Sequence, residues 1–97
     1  MAEAYWINVF LTVRDPEKLA AYAALARPAM EAAGGRFLAR GTAAAAFEEG
    51  KLERTTLIEF PSVDAAVAAY HSPGYQEALR ALDGSADRDL RIVEAAG

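Results

Sequence analysis

The sequence predicts an α+β fold built on one four-stranded antiparallel sheet, and three features carry the prediction. Residues 5–13 and 54–62 are dense in β-branched and aromatic side chains, and Pro61 stops the second run sharply, as a strand end does. Asp15-Pro16 and Ser72-Pro73 each place a capping side chain ahead of a proline at the first helical position. The acidic, glycine-containing stretch Glu48-Glu49-Gly50-Lys51 reads as a hairpin turn between two strands. Taken in order, the elements run strand, helix, strand, strand, helix, strand. Two right-handed crossovers and one hairpin then give a ferredoxin-like β-α-β-β-α-β fold, sheet order 4-1-3-2, with both helices on one face.

The first strand covers residues 5–13. Its alternate positions are Tyr5, Ile7, Val9, Leu11 and Val13 on one face and Trp6, Asn8, Phe10 and Thr12 on the other. Both sets are bulky, which marks a central strand covered on both sides. The first helix starts at Asp15-Pro16, buries Leu19, Tyr22, Ala23, Ala26, Met30 and Ala33 at helical spacing, and ends at Gly34-Gly35. Pro28 lies inside it and is expected to kink or divide it. The second strand runs from residue 36 to about 47, with a bulge or frayed end expected around Gly41 and the alanines at 43–46. In the third strand Thr56, Ile58 and Phe60 form a floor for the helices, and Thr55, Leu57 and Glu59 face away. Ser62 caps a second helix carrying Val63, Ala66, Val67 and Tyr70. His71-Ser72-Pro73-Gly74 interrupts it, and a restart carries Tyr75, Ala78, Leu79 and Leu82. Asp83-Gly84-Ser85 ends that segment, and residues 90–94 form a short last strand.

Ninety-seven residues with 54% hydrophobic and 25% charged content fit a single domain with one core. The net charge of −4 argues against a nucleic-acid partner, which needs a clustered basic face. With no cysteine there is no disulfide, thiolate nucleophile or zinc–thiolate site. One histidine is too few for a metal or haem centre, so neither a metal nor any other cofactor is expected. The start, Met1-Ala2-Glu3-Ala4-Tyr5, lacks a basic segment before an apolar run, and no run approaches the ~18–20 apolar residues of a membrane span. The expectation is a cytoplasmic protein with no membrane partner.

The sheet face away from the helices is expected to carry Trp6, Asn8, Phe10, Leu38, Arg40, Thr42, Thr55, Leu57, Glu59, Arg91 and Val93. Such a surface is too apolar for water. A second copy of the same face is its simplest cover, and two curled sheets then close into a barrel within a homodimer.

Six stretches in fixed order carry a family resemblance: Tyr5-Trp6; Asp15-Pro16 followed by Tyr22; Gly34-Gly35-Arg36-Phe37-Leu38-Ala39-Arg40-Gly41; Ile58-Glu59-Phe60-Pro61-Ser62; Tyr70-His71-Ser72-Pro73-Gly74-Tyr75-Gln76; and the segment from Asp89 to Glu94. Over nearly its whole length the chain resembles the domain-of-unknown-function family 1330 of the dimeric α/β-barrel superfamily. The resemblance implies a ferredoxin-like fold paired into a dimeric barrel. It implies no settled activity, since the superfamily includes monooxygenases, isomerases, haem-binding enzymes and ligand-binding regulators. Ala69 stands where a Trp often precedes the tyrosine, and Thr42 where a second glycine often follows Gly41.

Five residues are expected to line a small-molecule pocket: Asn8, Arg40, Glu59, His71 and Tyr75. Arg40 and Glu59, read on one face of adjacent strands, would hold a polar ligand, or Glu59 would act as a base with its pKa raised by burial. The plainer reading is a cross-strand ion pair. His71 is the second catalytic candidate, against the plainer role of a helix-end residue near the last carbonyls. Tyr70 and Tyr75 could donate to a ligand, but their helical spacing favours core packing. Trp6, Asn8 and Phe10 fit a cavity or an interface plug equally well. Arg54 and Arg91 read as solvated strand ends, and Glu48, Glu49 and Glu53 as a solvated turn. The leading expectation is therefore a homodimer that binds a small organic molecule, between sheet and helices or inside the barrel. The alternatives are a cofactor-independent enzyme doing proton transfer or monooxygenation, and an interaction module whose cavity is filled by side chains.

Overall fold

The computed structural model describes residues 3–97, so Met1 and Ala2 of the amino-terminal stretch lie outside the described residues. Strands β1 (Ala4–Val13), β2 (Arg36–Thr42), β3 (Arg54–Phe60) and β4 (Ala86–Glu94) form one antiparallel sheet in the order β2-β3-β1-β4. Taken from the other edge this is the expected 4-1-3-2, and β1 and β3 are central. Helices α1 (Pro16–Ala32), α2 (Val63–His71) and α3 (Pro73–Leu82) pack with the sheet around a core of Trp6, Phe10, Tyr22, Met30, Ile58, Phe60 and Tyr75.

Local chemistry sets the helix ends. The Asp15 carboxylate accepts from the Glu17 and Lys18 amides at 3.0 and 3.2 Å, satisfying both free N–H groups of the first turn, where Pro16 has none to satisfy. Pro28 does not divide that helix, which runs unbroken for 17 residues. Its side chain is exposed, so the ring lies away from the core. Ser72 does two jobs. Its hydroxyl donates to the Ala69 carbonyl at 2.7 Å, closing α2, and accepts from the Tyr75 amide at 3.3 Å, opening α3. Gly35 enters β2 under the core: a Cβ there would meet Ile58 Cγ2 and Phe60 Cζ at 2.9 Å and the Met30 carbonyl oxygen at 3.0 Å.

The register corrects the expected faces of β1. Trp6 lies opposite Ile58 and Ile92, and Asn8 lies opposite Thr56 and Leu90. Opposed residues in an antiparallel pair share a face. Trp6, Asn8 and Phe10 therefore face the helices, where each is at most 2% exposed. The bare face carries the other set, Tyr5, Ile7 and Val9, beside Thr55, Leu57, Glu59, Arg91 and Val93. β2 is shorter than expected, and its bulge falls earlier. The register shifts between Phe37 and Ala39, leaving Leu38 as the extra residue. The extra residue reverses the parity of the rest of the strand. Phe37 opposes Ile58, and Arg40 opposes Thr56, so both face the helices. Arg40 and Thr42 therefore do not join Glu59 on the bare face. β4 starts at Ala86, four residues before the expected strand, because its first half pairs with the end of β1.

Candidate functional site

Between α1 and the sheet lies a recess with an aromatic floor and a cationic mouth. Trp6, Tyr22, Phe37 and Tyr75 supply the aromatic part of its lining, Asn8 and Thr56 the buried polar part, and Arg27, Arg40 and Arg54 its charges. No Asp or Glu is among its lining residues. The space that admits a water measures about 20 Å³, room for one ordered water. With its opening to solvent the recess measures about 340 Å³.

The residues reach this place by strand parity. Arg54, Thr56 and Ile58 are alternate positions of β3, and all three line the recess. Arg40 joins them because of the bulge at Leu38. Arg40 and Arg54 then occupy diagonal cross-strand positions, opposite Thr56 and Thr42 respectively. Such positions lie about 7–8 Å apart. Burial, and then the neighbouring Arg40 charge, lower the pKa of Arg54. The Arg40 guanidinium stands 5.3 Å from the centre of the Phe37 ring. Arg27 is held by its own helix, 3.8 Å from Glu31. Neither Arg40 nor Arg54 pairs with a carboxylate among the described residues. Asn8 is 2% exposed, and its Oδ1 has no hydrogen-bond donor.

Behind the aromatic wall lies a hydroxyl–guanidinium cluster. The Tyr22 and Tyr75 hydroxyls are 2.7 Å apart, and Arg88 Nη1 donates to both, at 3.1 and 3.0 Å. Arg88 also stands 5.3 Å from the Tyr22 ring centre and 5.8 Å from that of Phe10. Burial is the main cause that pushes the Tyr22 hydroxyl well above the ordinary tyrosine range, so it stays protonated.

Of the five residues expected to line one pocket, Asn8, Arg40 and Tyr75 meet at this recess. Glu59 does not. It sits on the opposite face, accepting from Arg36 Nε and Nη2 at 3.2 and 2.9 Å, in a wide open cleft with Pro61 and Phe60 that measures about 530 Å³ with its opening to solvent, against 340 Å³ for the recess. The hydrogen bond from Arg36 lowers its pKa, the reverse of the raised value a buried base needs. His71 is exposed at the end of α2, its ring edge-on to Tyr70 at 5.3 Å. Sequence reasoning missed Arg54, although it shares strand parity with Thr56 and Ile58. It also missed Arg36 as the partner of Glu59. A hairpin centred on residues 48–50 folds position 59 back onto positions 37–41, which points to Arg40, and only the bulge at Leu38 brings Arg36 opposite Glu59 instead. Among the described residues no group of three or more His, Asp or Glu could hold a metal, and no helix is long and apolar enough to cross a membrane.

A family model described as a domain of unknown function, DUF1330, matches residues 3–96. A protein of unknown function from Rhodopseudomonas palustris superposes with a TM-score of 0.77 at 21% identity, over 99% of this chain and 84% of that one. SnoaB, a cofactor-independent oxygenase from Streptomyces nogalater, superposes at 0.64 with 17% identity, over 100% and 96%. A dimeric protein of unknown function with a ferredoxin-like fold, from Bacteroides fragilis, superposes at 0.59 with 17% identity, over 96% of each chain. At these identities the likeness is one of fold. No curated protein matches the chain.

Proposed function

We propose that this chain, which belongs to the DUF1330 family, is a homodimeric small-molecule-binding protein with one ligand recess per protomer. The observation that carries the binding role is Asn8. A buried amide oxygen with no donor, at the wall of an aromatic recess, is an unmet demand that a ligand or an ordered water fills.

The dimer rests on the bare sheet face. Tyr5, Ile7, Val9 and Leu57 are only half-buried there, Val93 is 49% exposed, and no helix of the chain covers them. An apolar strip of this kind, bordered by Glu59, Asp89 and Arg91, calls for a partner surface, and an identical one satisfies it with two-fold symmetry. The Bacteroides protein of the same fold is described as dimeric.

The alternative of a cofactor-independent enzyme shares its fold with the Streptomyces oxygenase. The recess favours binding over proton transfer, because its titratable lining consists of arginines and tyrosines and Tyr22 is held protonated. Native mass spectrometry tests both halves of the reading. Fresh protein should appear at twice the 10.3 kDa chain mass, and Leu57→Glu, which puts a charge in the middle of the bare face, should appear at the single mass. A monomeric wild-type chain at micromolar concentration refutes the dimer. Failure of every small aromatic compound to shift backbone amide resonances of β1 and β3 refutes the binding role.

A further inference from the structure

Resting on that binding role, we infer that the recess takes a small organic anion, its charge held between Arg40 and Arg54 and a hydroxyl or N–H group turned toward Asn8 Oδ1, which it reaches through the one water that the inner space admits.

Three independent features converge on this ligand class. The first is charge. The chain as a whole carries −4, yet the lining of this one recess includes three arginines and no carboxylate. Two of them, Arg40 and Arg54, occupy neighbouring positions and neither pairs with a carboxylate among the described residues, although Arg54 is half-buried. Like charges placed together in a partly desolvated site repel one another, and the arrangement is relieved by an anion that both can reach. A guanidinium fork fits a planar carboxylate or enolate in particular. The second is the orphan acceptor on Asn8, buried deeper than the arginine mouth, which asks for a donor that a bridging water can relay to the ligand. The third is the aromatic mouth: the recess measures about 340 Å³ only with its opening to solvent, so a flat body sits in that outer part, where Phe37 lies under Arg40 and offers an aromatic surface. Other anion sites in the chain lack this combination. Arg36, Arg14 and Arg91 are each already paired with a carboxylate at 2.9 Å on the surface.

The experiment is a titration followed by backbone amide resonances, with four probes: 4-hydroxybenzoate, benzoate, neutral 4-hydroxybenzamide and inorganic phosphate. 4-Hydroxybenzoate, which has both the anion and the donor, should bind most tightly. Removing either the charge or the donor should weaken binding about 10-fold or more. Arg40→Gln, a change at an exposed position that leaves the core intact, should weaken 4-hydroxybenzoate by about 10- to 100-fold while leaving the hydroxybenzamide affinity unchanged. Equal binding of hydroxybenzoate and hydroxybenzamide overturns the anion inference and leaves the small-molecule role standing. Binding of phosphate alone, with no preference for the aromatic acids, overturns the organic part of it. No response to any probe overturns both the inference and the role it rests on.

Discussion

Tyr75→Phe removes a single oxygen from the centre of the molecule, and its cost is set by the two groups that oxygen touches. The Tyr75 hydroxyl is bonded to the Tyr22 hydroxyl at 2.7 Å and to Arg88 Nη1 at 3.0 Å, while its ring packs edge-on to Trp6 at 5.2 Å. The ring stays in Phe, so packing is preserved and only the two hydrogen bonds are lost. A neutral buried hydrogen bond contributes about 1 kcal/mol net and one to a charged group about 1.5–3 kcal/mol. Arg88 keeps its second acceptor, Tyr22, at 3.1 Å, which offsets part of the loss. The expected cost is about 2 kcal/mol. For a chain of 97 residues that is a fall in Tm of about 8–16 °C. The assay is thermal unfolding followed by far-UV circular dichroism at one fixed protein concentration, since the Tm of a dimer moves with concentration. Tyr70→Phe is the control. Its ring belongs to the same aromatic cluster, but its hydroxyl makes no hydrogen bond among the described residues, and its Tm should move by less than about 4 °C, equivalent to less than ~1 kcal/mol. If the two variants behave alike, the hydroxyl–guanidinium cluster contributes nothing to the fold and the reasoning fails.

Two further outcomes belong to the same core. Because the folded-state pKa of Tyr22 is raised above its unfolded value of about 10, the unfolded chain releases this proton first as pH rises. The stability is then fully present below about pH 10 and is lost above it, by up to ~1.4 kcal/mol per pH unit for this one group. Urea midpoints should be flat between about pH 8 and 9 and fall beyond about pH 10, and Tyr22→Phe should lessen that slope; an identical slope in the variant counts against the buried-hydroxyl account. Gly35→Ala should cost about 1–3 kcal/mol by overpacking, because its Cβ would meet Ile58, Phe60 and the Met30 carbonyl at 2.9–3.0 Å. A urea midpoint equal to wild type would show that these neighbours give way freely.

The strand order was legible because each connection carries its own punctuation: Asp15-Pro16, Ser72-Pro73 and the Glu48–Gly50 turn appear in the chain as they act in the fold. The faces of β1 were not legible. Alternation shows which residues share a face, but it selects the inner set only when the outer set is polar. Here Tyr5, Ile7, Val9 and Leu11 are as apolar as Trp6 and Phe10, and Asn8 breaks the pattern of the set that is truly inside. Neighbours β1 and β3 are also separated by a helix and another strand, so no tight turn fixes their register. The pairing of Arg40 with Glu59 failed for a different reason. One extra residue, Leu38, reverses every side chain after it, and nothing in Arg36-Phe37-Leu38-Ala39 marks that position as a bulge.

That same misreading explains why the site was only partly visible. Once Arg40 is assigned to the bare face with Glu59, Arg54 has no charged neighbour across the strand and reads as a solvated end. With the bulge in place, the two arginines and Asn8 fall on the helix side together, while Glu59 and Arg36 go to the other side as a pair. The sheet thus separates two jobs by parity alone. On β3, Leu57 belongs to the face that asks for a second copy, and Thr56, one residue away, belongs to the recess that asks for an anion. The two proposals are therefore separable by experiment despite sharing a strand. A charge at position 57 acts on subunit number from outside the recess, and loss of charge at position 40 acts on the ligand from the helix side, where the bare face does not reach.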